Sequence, residues 1–484
     1  MIIPKGSSAA GPPCGPEPNA DSAVCTAFDL RDVAKQATDM GNAARLVCEH
    51  GKDIRFCVPT GKWLIWDETR WKPDDSLEIM TRAKTTVLSF CEGAEEDDYY
   101  RKQKILQWAI RSQSQRSLNA MVELAKSDIA IKPGDLDKDR FLFNIQNGTI
   151  DLKSGVSNPH RREDYITKIA PVRFDQNATC PLWYAFLSRI LNGSEPLHRY
   201  LQKIAGVCLT GDVREQVLPI FHGPGANGKS VFLETLAGMM GDYACYAPAG
   251  LLVQTGNQEH PTELADLMGR RLVIASETEE GHRLKIQRVK QLTGDIRLKA
   301  RYMRQDYFEF DQTHKLILVC NNKPIIPEST NAIWRRVKLV PFEVVIPAEE
   351  RDENLIEKLR AEWPGILNWA IAGCLMWQKE GLDAPEQVRE ATKEYESEQD
   401  VLGAFIEDCC VMSADALVSR ADIFAEYQKW VESNHERKIL DRNSFYERLR
   451  KLPGVSEAMK KFQHKPVRGF TGIGLLARSQ QVAG

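Results

Sequence analysis

The octet GPGANGKS at 223–230 most limits what this chain can be, because it stands between an apolar run, VLPIF at 217–221, and the helical pattern SVFLETLAGMMG at 230–241. Glycines at 223, 225 and 228 let the backbone turn until successive N–H groups converge, and a helix starting directly afterwards adds the positive end of its dipole. Strand, glycine loop and helix in this order predict a polyphosphate cradle made by Gly223, Pro224, Gly225, Ala226, Asn227, Gly228, Lys229, Ser230 and Val231. Lys229 is placed to reach the β- and γ-phosphates and Ser230 to offer its hydroxyl to a metal, so ATP and Mg²⁺ are the expected cofactors.

Such a site also needs acid to hold the metal and orient water, usually at the tip of a neighbouring strand. LVIASETEEG at 272–281 supplies it, an aliphatic run followed by Glu277, Glu279 and Glu280. Glu277 is expected to be the metal-linked carboxylate and Glu279 the group that polarises water; a solvated acidic turn is the plainer alternative. KLILVCNNKP at 315–324 ends another apolar strand in Asn321 and Asn322. An amide there can hydrogen-bond a γ-phosphate or the lytic water, although Asn also favours turns for local reasons. AIWRRVKLVPF at 332–342 sets Arg335 and Arg336 before a further strand. Buried tandem arginines are rare unless paired, so these two are expected to form a finger that reaches a neighbouring subunit's nucleotide.

Formal net charge is −3 over 484 residues, so any basic surface must be local. Residues 283–304 hold it, with eight Lys or Arg against the single acid Asp295. Focused positive charge suits a surface that tracks a nucleic-acid backbone, since phosphate contacts need no sequence reading. Lys290, Lys299, Arg301, Met303 and Arg304 are the residues expected to touch single-stranded or forked DNA. Residues 441–470 repeat the pattern more weakly, with eight basic residues and three acids. There NSFYERLRKL puts Phe445 and Leu449 on one helical face beside arginines, which suits either a recognition helix or a protein-binding one.

Length predicts two to four domains. Residues 1–27, rich in Gly, Pro, Ala and Ser without an apolar h-region, read as a disordered tail rather than a secretory signal. Residues 28–180 are expected to form an α+β domain with a strand pair around GKWLIWDETRW, three core tryptophans and a hairpin turn at Asn147-Gly148. Residues 181–346 alternate apolar strands and helices, which predicts an α/β core with a largely parallel sheet and a helical lead-in at 181–212. Residues 347–398 read as a charged helical lid or linker. Residues 399–484 read as three short helices and a strand, an order compatible with a winged helix. The twelve cysteines include the adjacent pair Cys409 and Cys410 but no CxxC, which fits free thiols in the cytoplasm. No run approaches the ~20 apolar residues a membrane span needs.

Taken in order, GPGANGKS, LVIASETEEG, KQLTGDIRLKARYMRQDYFEF, KLILVCNNKP and AIWRRVKLVPF resemble the superfamily III helicase core of phage and plasmid primase-helicases, the poxvirus type among them, within the AAA+ class. Upstream, TDMGNAARLVCEHGKDIRF, GKWLIWDETRW and FNIQNGTIDLKSG look like the domain preceding that ATPase. The resemblance implies a homo-oligomeric ring, commonly a hexamer, with ATP between neighbours and a β-hairpin gripping single-stranded DNA in the channel. Carried over, Lys229 and Ser230 bind nucleotide and Mg²⁺, Glu277 is the acidic strand end, Asn321 the polar sensor and Arg336 the finger, with Arg335 beside it. The channel hairpin falls near Arg301 to Asp306. Residues 1–30 leave no room for a primase palm, so priming is expected from a separate primase or polymerase, or not at all. A helicase for a mobile element is therefore expected. A nucleotide-switched initiator or defence ATPase that does not separate strands is the rival reading, and a small-molecule kinase the more distant one.

Overall fold

The computed structural model describes residues 36–91, 99–248, 250–254, 262–277, 281–301, 303, 306–326, 331–434, 440–462 and 465–476. The expected tail at 1–27 lies outside these residues. The described chain forms two compact units, one of residues 36–67 and 71–133, the other of residues 68–70 and 134–476.

In the first unit β1 (Ile54–Cys57) pairs antiparallel with β2 (Lys62–Trp66) and parallel with β4 (Ala130–Ile131), and β3 (Trp71–Pro73) adds to the far edge of β2. Helices α1 (Asp39–His50), α2 (Glu78–Leu88), α3 (Tyr99–Ser112) and α4 (Gln115–Ala125) accompany it. The α1 start is fixed by Thr38, whose hydroxyl accepts from the Gly41 N–H at 2.9 Å. Leu46, Ile54, Ile65, Ala83 and Met121 form the core, with Trp66 and Trp71 buried and Trp63 packed against it.

The second unit opens with a small antiparallel sheet of β5 (Leu142–Ile145), β6 (Gly148–Asp151) and β7 (Val156–Asn158). Ile145 pairs with Gly148, so the hairpin turn is Gln146-Asn147, one residue earlier than expected. The expected domain boundary at 180/181 is also displaced. Phe143, Ile145 and Ile150 are fully buried in one core with Trp183, Leu201 and Phe232, so the chain parts at 133/134.

The main sheet is parallel. β8 (Leu218–His222) lies between β14 (Val337–Pro341) and β13 (Lys315–Cys320), and β10 (Leu272–Glu277) and β9 (Ala244–Tyr246) continue beyond β13. Both faces are covered, which is why these strands read as apolar runs rather than alternations. Phe221, Leu272, Ile274, Ile317 and Val340 enter the core on one side; Leu218, Ile220, Val273, Leu318 and Leu339 enter the core on the other. Helices α5 (Pro181–Ile190), α6 (Glu195–Leu209) and α7 (Lys229–Met240) contribute to the first core, and α8 (Thr262–Ala265) and α9 (Ile286–Gly294) to the second. An antiparallel pair, β11 (Arg297–Ala300) and β12 (Phe308–Asp311), follows α9, and the short α10 (Asn331–Trp334) leads into β14.

Beyond the sheet come α11 (Leu355–Ala361), α12 (Trp363–Glu380) and α13 (Glu386–Gln399). The expectation of a lid fails for α12, which buries Ile366, Leu367, Ala370 and Cys374 completely. It crosses α6 so closely that a Cβ on Gly206 would strike the Cys374 backbone and one on Gly373 the Gln202 carbonyl. A core crossing of this kind holds the fold together and leaves no room to swing.

Residues from Val401 make a separate core around Phe405, Ile423, Tyr427, Phe445 and Phe470. Their order is α14 (Val401–Cys409), β15 (Cys410–Ser419), α15 (Arg420–Ser433), α16 (Arg442–Arg450), β16 (Ser456–Phe462) and β17 (Lys465–Leu475), with β17 central in an antiparallel sheet. Two strands, β15 and β16, are thus present that the sequence pattern does not separate from helix or turn. Among the described residues no helix is long and apolar enough to cross a membrane.

Candidate nucleotide site and its basic flank

Strand register decides which side chains meet. His222 pairs with Cys320, and Cys320 with Glu277, so the loop after β8, Asn321 after β13 and Glu277 at the end of β10 share one edge of the sheet. Adjacent strands lie ~4.8 Å apart, which puts Glu277 about 10 Å from the strand that carries the loop. That spacing leaves room for a phosphate and a metal between them.

The loop is wound for its task. Ala226 and Gly228 take φ of 59° and 83°, and Gly228 stands at the cap of α7 where a Cβ would press on Ile190 Cγ2 at 2.5 Å. The Asn227 side chain braces the turn, donating from Nδ2 to the Phe342 carbonyl at 2.9 Å. Pro224, Gly225, Ala226 and Ser230 are exposed along the rim, Gly223 is buried, and Val231 is half-buried.

Lys229 is only 4% exposed, and its ammonium donates to the carbonyls of Gly223 at 2.7 Å and Pro224 at 3.2 Å, to Asn227 Oδ1 at 3.0 Å and to Asn321 Oδ1 at 3.4 Å. Burial lowers its pKa. Every one of those acceptors is a neutral oxygen. A buried cation at a helix N-terminus, held by dipoles alone, fits an anion such as a polyphosphate.

Glu277 is 9% exposed, and Nδ1 of His282 lies 3.1 Å from its Oε1. His282 is a partner that sequence reasoning missed, because a single histidine after an acidic turn carries no spacing signal. Ser230, exposed in the first turn of α7, and Glu277, at the end of β10, are the residues expected from the sequence to hold a divalent metal. Glu279, expected to polarise water, lies outside the described residues, as does Arg304.

Arg335 and Arg336 stand at the other end of the sheet. Arg336 comes just before Val337, which pairs with Leu218, and its carbonyl accepts from the Leu218 N–H at 2.8 Å. The five residues of β8 therefore separate it from the loop, about 16 Å at a strand's rise. Arg336 is 9% exposed; Nη1 donates to the Ala332 carbonyl at 2.7 Å, while Nε is buried without a hydrogen-bond partner among the described residues. Burial first, and then the charge of Arg335, hold its pKa below the ordinary arginine value. Arg335 is exposed. Both line an open groove of about 1150 Å³ with Lys285, Arg288 and Lys290 of the preceding segment and α9. Lys290, expected on the DNA path, thus lines the groove that holds the two arginines.

The hairpin expected near 301–306 falls between β11 and β12, which pair antiparallel on either side of it, and residues 302, 304 and 305 lie outside the described residues. Met303 is exposed, and Lys299 Nζ and the Arg301 guanidinium sit 5.2 and 5.1 Å from the centre of the exposed Tyr307 ring. In the C-terminal core Phe445 and Leu449 are buried as expected. Several neighbouring cations are engaged by acids, with Arg450 and Arg420 on Glu457 and Lys451 on Glu447.

Residues 43–192 match the family described as D5 N terminal like, residues 221–336 a family of unknown function (DUF5906), and residues 397–473 the Poxvirus D5 protein-like family. A helicase-named protein of Acanthamoeba polyphaga mimivirus, L207/L206, is 25% identical over 82% of this chain and 46% of its own length. A helicase-named protein of Invertebrate iridescent virus 3, 121R, is 23% identical over 69% of this chain and 39% of its own. A primase-named protein of African swine fever virus, C962R, is 24% identical over 46% of this chain and 25% of its own. The chain thus spans less than half the length of these relatives. The solved apo structure of the NrS-1 C-terminal region shares the fold, with a TM-score of 0.50 and 13% identity over 90% of this chain and 99% of that one. With D5-type segments in chain order and helicase- and primase-named viral relatives along it, the chain is similar to primase-helicase proteins over most of its length.

Proposed function

We propose that the chain is an ATP-dependent DNA helicase of superfamily III with an AAA+ core, acting as a homo-oligomeric ring in replication of a virus or other mobile element. The observation that carries this reading is the division of the sheet. Lys229, Asn321 and Glu277 share one edge, while Arg335 and Arg336 lie about 16 Å away at the other, too far to reach their own subunit's site.

Bound ATP with Mg²⁺ would supply the free energy of γ-phosphate transfer to water. Lys229 would hold the phosphate charge, Ser230 and Glu277 the metal, and Asn321 the terminal phosphate or lytic water, with Glu279 the group that polarises it. Arg336, with Arg335 beside it, would complete the site of the next subunit. Lys299, Arg301 and Met303 on the hairpin, with Arg304, would grip one DNA strand. The helix–strand–helix–helix–strand–strand order after Val401 is that of a winged helix, which would add a duplex or protein contact.

A forked duplex with a labelled strand tests the reading. The wild-type chain should displace the strand with ATP and Mg²⁺ and fail without either, and Lys229→Ala should abolish both turnover and displacement. ATP turnover without displacement would favour the nucleotide-switched initiator; normal turnover in Lys229→Ala would remove the phosphate-loop assignment.

A further inference from the structure

Helix α13 looks unremarkable in sequence. EQVREATKEYESEQ is dominated by charge, and among its residues only Val388 and Tyr395 are buried. Tyr395 is fully enclosed, and its position is the informative one. Its hydroxyl donates to the carbonyl of Pro324, three residues beyond Asn321 in the loop that leaves β13. Its ring meets Trp334 edge-on, with centroids 5.2 Å apart at 85°. Trp334 is the last residue of α10 and immediately precedes Arg335 and Arg336, whose own N–H groups bond back to the Asn331 and Ile333 carbonyls. One side chain therefore touches both the segment that carries the polar sensor and the segment that carries the buried arginines.

Neighbouring contacts make the join stiff. Lys323 Nζ donates to both carboxylate oxygens of Glu398 at 2.7 and 2.8 Å, and the Ile326 N–H donates to Gln399 Oε1 at 3.1 Å. On the other flank, Thr392 Oγ1 accepts from the Leu339 N–H at 2.9 Å, which ties α13 to β14 just past the arginines. Ile325, in the same sensor loop, also exchanges backbone hydrogen bonds with His282 and Leu284, downstream of Glu277. Packed contacts of this kind move together, because a close-packed interior does not absorb a shift at one point.

We propose that Tyr395 is a positioning residue that couples the nucleotide state of its own subunit, felt at Asn321, to the placement of Arg335 and Arg336 on the neighbour's site. The inference rests on the nucleotide-site reading above and adds to it a route from the near end of the sheet to the far end. In this arrangement a subunit lacking nucleotide leaves its arginines unpoised and silences the neighbour they serve.

Subunit doping tests it. Full-length wild-type chain is mixed with rising fractions of Lys229→Ala chain and ATP turnover is followed; the same series is run with Tyr395→Phe, which keeps the ring and removes only the hydroxyl. If each live site needs a live neighbour, an equal mixture retains about one quarter of the undiluted rate, whereas independent sites retain about one half. The wild-type series should follow the first curve and Tyr395→Phe the second, with its half-saturating ATP concentration within about 2-fold of wild type. Trp334→Phe, which loosens the ring contact and leaves the hydroxyl, should also move toward the second curve, and it serves if Tyr395→Phe does not fold. A Tyr395→Phe or Trp334→Phe series as steep as wild type overturns the inference. A wild-type series on the second curve overturns it too, while leaving the nucleotide site standing. Absence of any wild-type turnover sinks the nucleotide-site reading and this inference together.

Discussion

Two arginine pairs in this chain look alike in sequence. GRRLVIAS puts Arg270-Arg271 before β10, and WRRVKLVP puts Arg335-Arg336 before β14. Their surroundings differ. Arg271, 4% exposed, donates to the carbonyls of Leu209 and Leu142 and lies 4.5 Å from the Tyr243 ring centre, and Arg270 donates to the Asp242 and Ala244 carbonyls. Arg336, 9% exposed, has one carbonyl and an unmet Nε, beside an open basic groove. One pair is completed by carbonyls of its own chain and serves the fold. The other is left incomplete among the described residues, which is what the proposed role toward a neighbouring subunit requires.

That contrast is broken most directly by truncating each inner arginine. Arg336→Ala should fold with unchanged or slightly higher stability, because it removes a poorly satisfied buried charge, yet lose about 10³ to 10⁵ in ATP turnover. Nucleotide affinity should hold, measured by fluorescent-nucleotide titration. Near-normal turnover would mean that Arg336 serves no catalytic site. Arg271→Ala should do the reverse. It strips two buried carbonyls of their donor and opens a hole beside Tyr243, so a loss of about 2–4 kcal/mol is expected in urea unfolding. Turnover at low temperature, where the variant stays folded, should be near wild type. A stable Arg271→Ala would put the two pairs in the same class.

Much of the sheet and its near edge is legible in the amino-acid sequence, for physical reasons that can be named. Strands buried on both faces give apolar runs, so β8, β10 and β13 announce themselves, and each run stops where the candidate site begins, at His222 before the glycine loop, at Glu277, and at Cys320 before Asn321. The hairpin of β11 and β12 is legible because Leu298, Ala300 and Phe310 face inward between exposed charges. What escapes is whatever depends on distant packing. Residues 142–151 read as a hairpin of the α+β domain at 28–180, although Phe143 and Ile150 bury against helices from later in the chain. α12 reads with its charged neighbours, although two glycines lock it to α6. Nothing local in RRVKLVP or RRLVIAS says which pair of guanidiniums will find carbonyls, since those acceptors, Leu209, Leu142 and Ala332, come from three unrelated elements.

A third strand start sharpens the comparison with a smaller effect. His314 precedes Lys315 at the head of β13, 1% exposed, with neither ring nitrogen hydrogen-bonded among the described residues. Burial, reinforced by the Lys315 charge, pushes its pKa down to about 3. The unfolded chain takes up a proton near the ordinary histidine value of about 6.5 while the folded chain does not, so His314 costs nothing above that pH and destabilises progressively as pH falls toward 3. At pH 5 the loss should be about 2 kcal/mol. Comparing urea midpoints at pH 7.5 and 5 for wild type and His314→Leu isolates it, the variant being expected to lose less by that amount. Equal losses would mean that the folded imidazole accepts a proton after all. The start of β13 would then resemble that of β14, a strand head holding positive charge for a partner, rather than that of β10, where the chain meets every need itself.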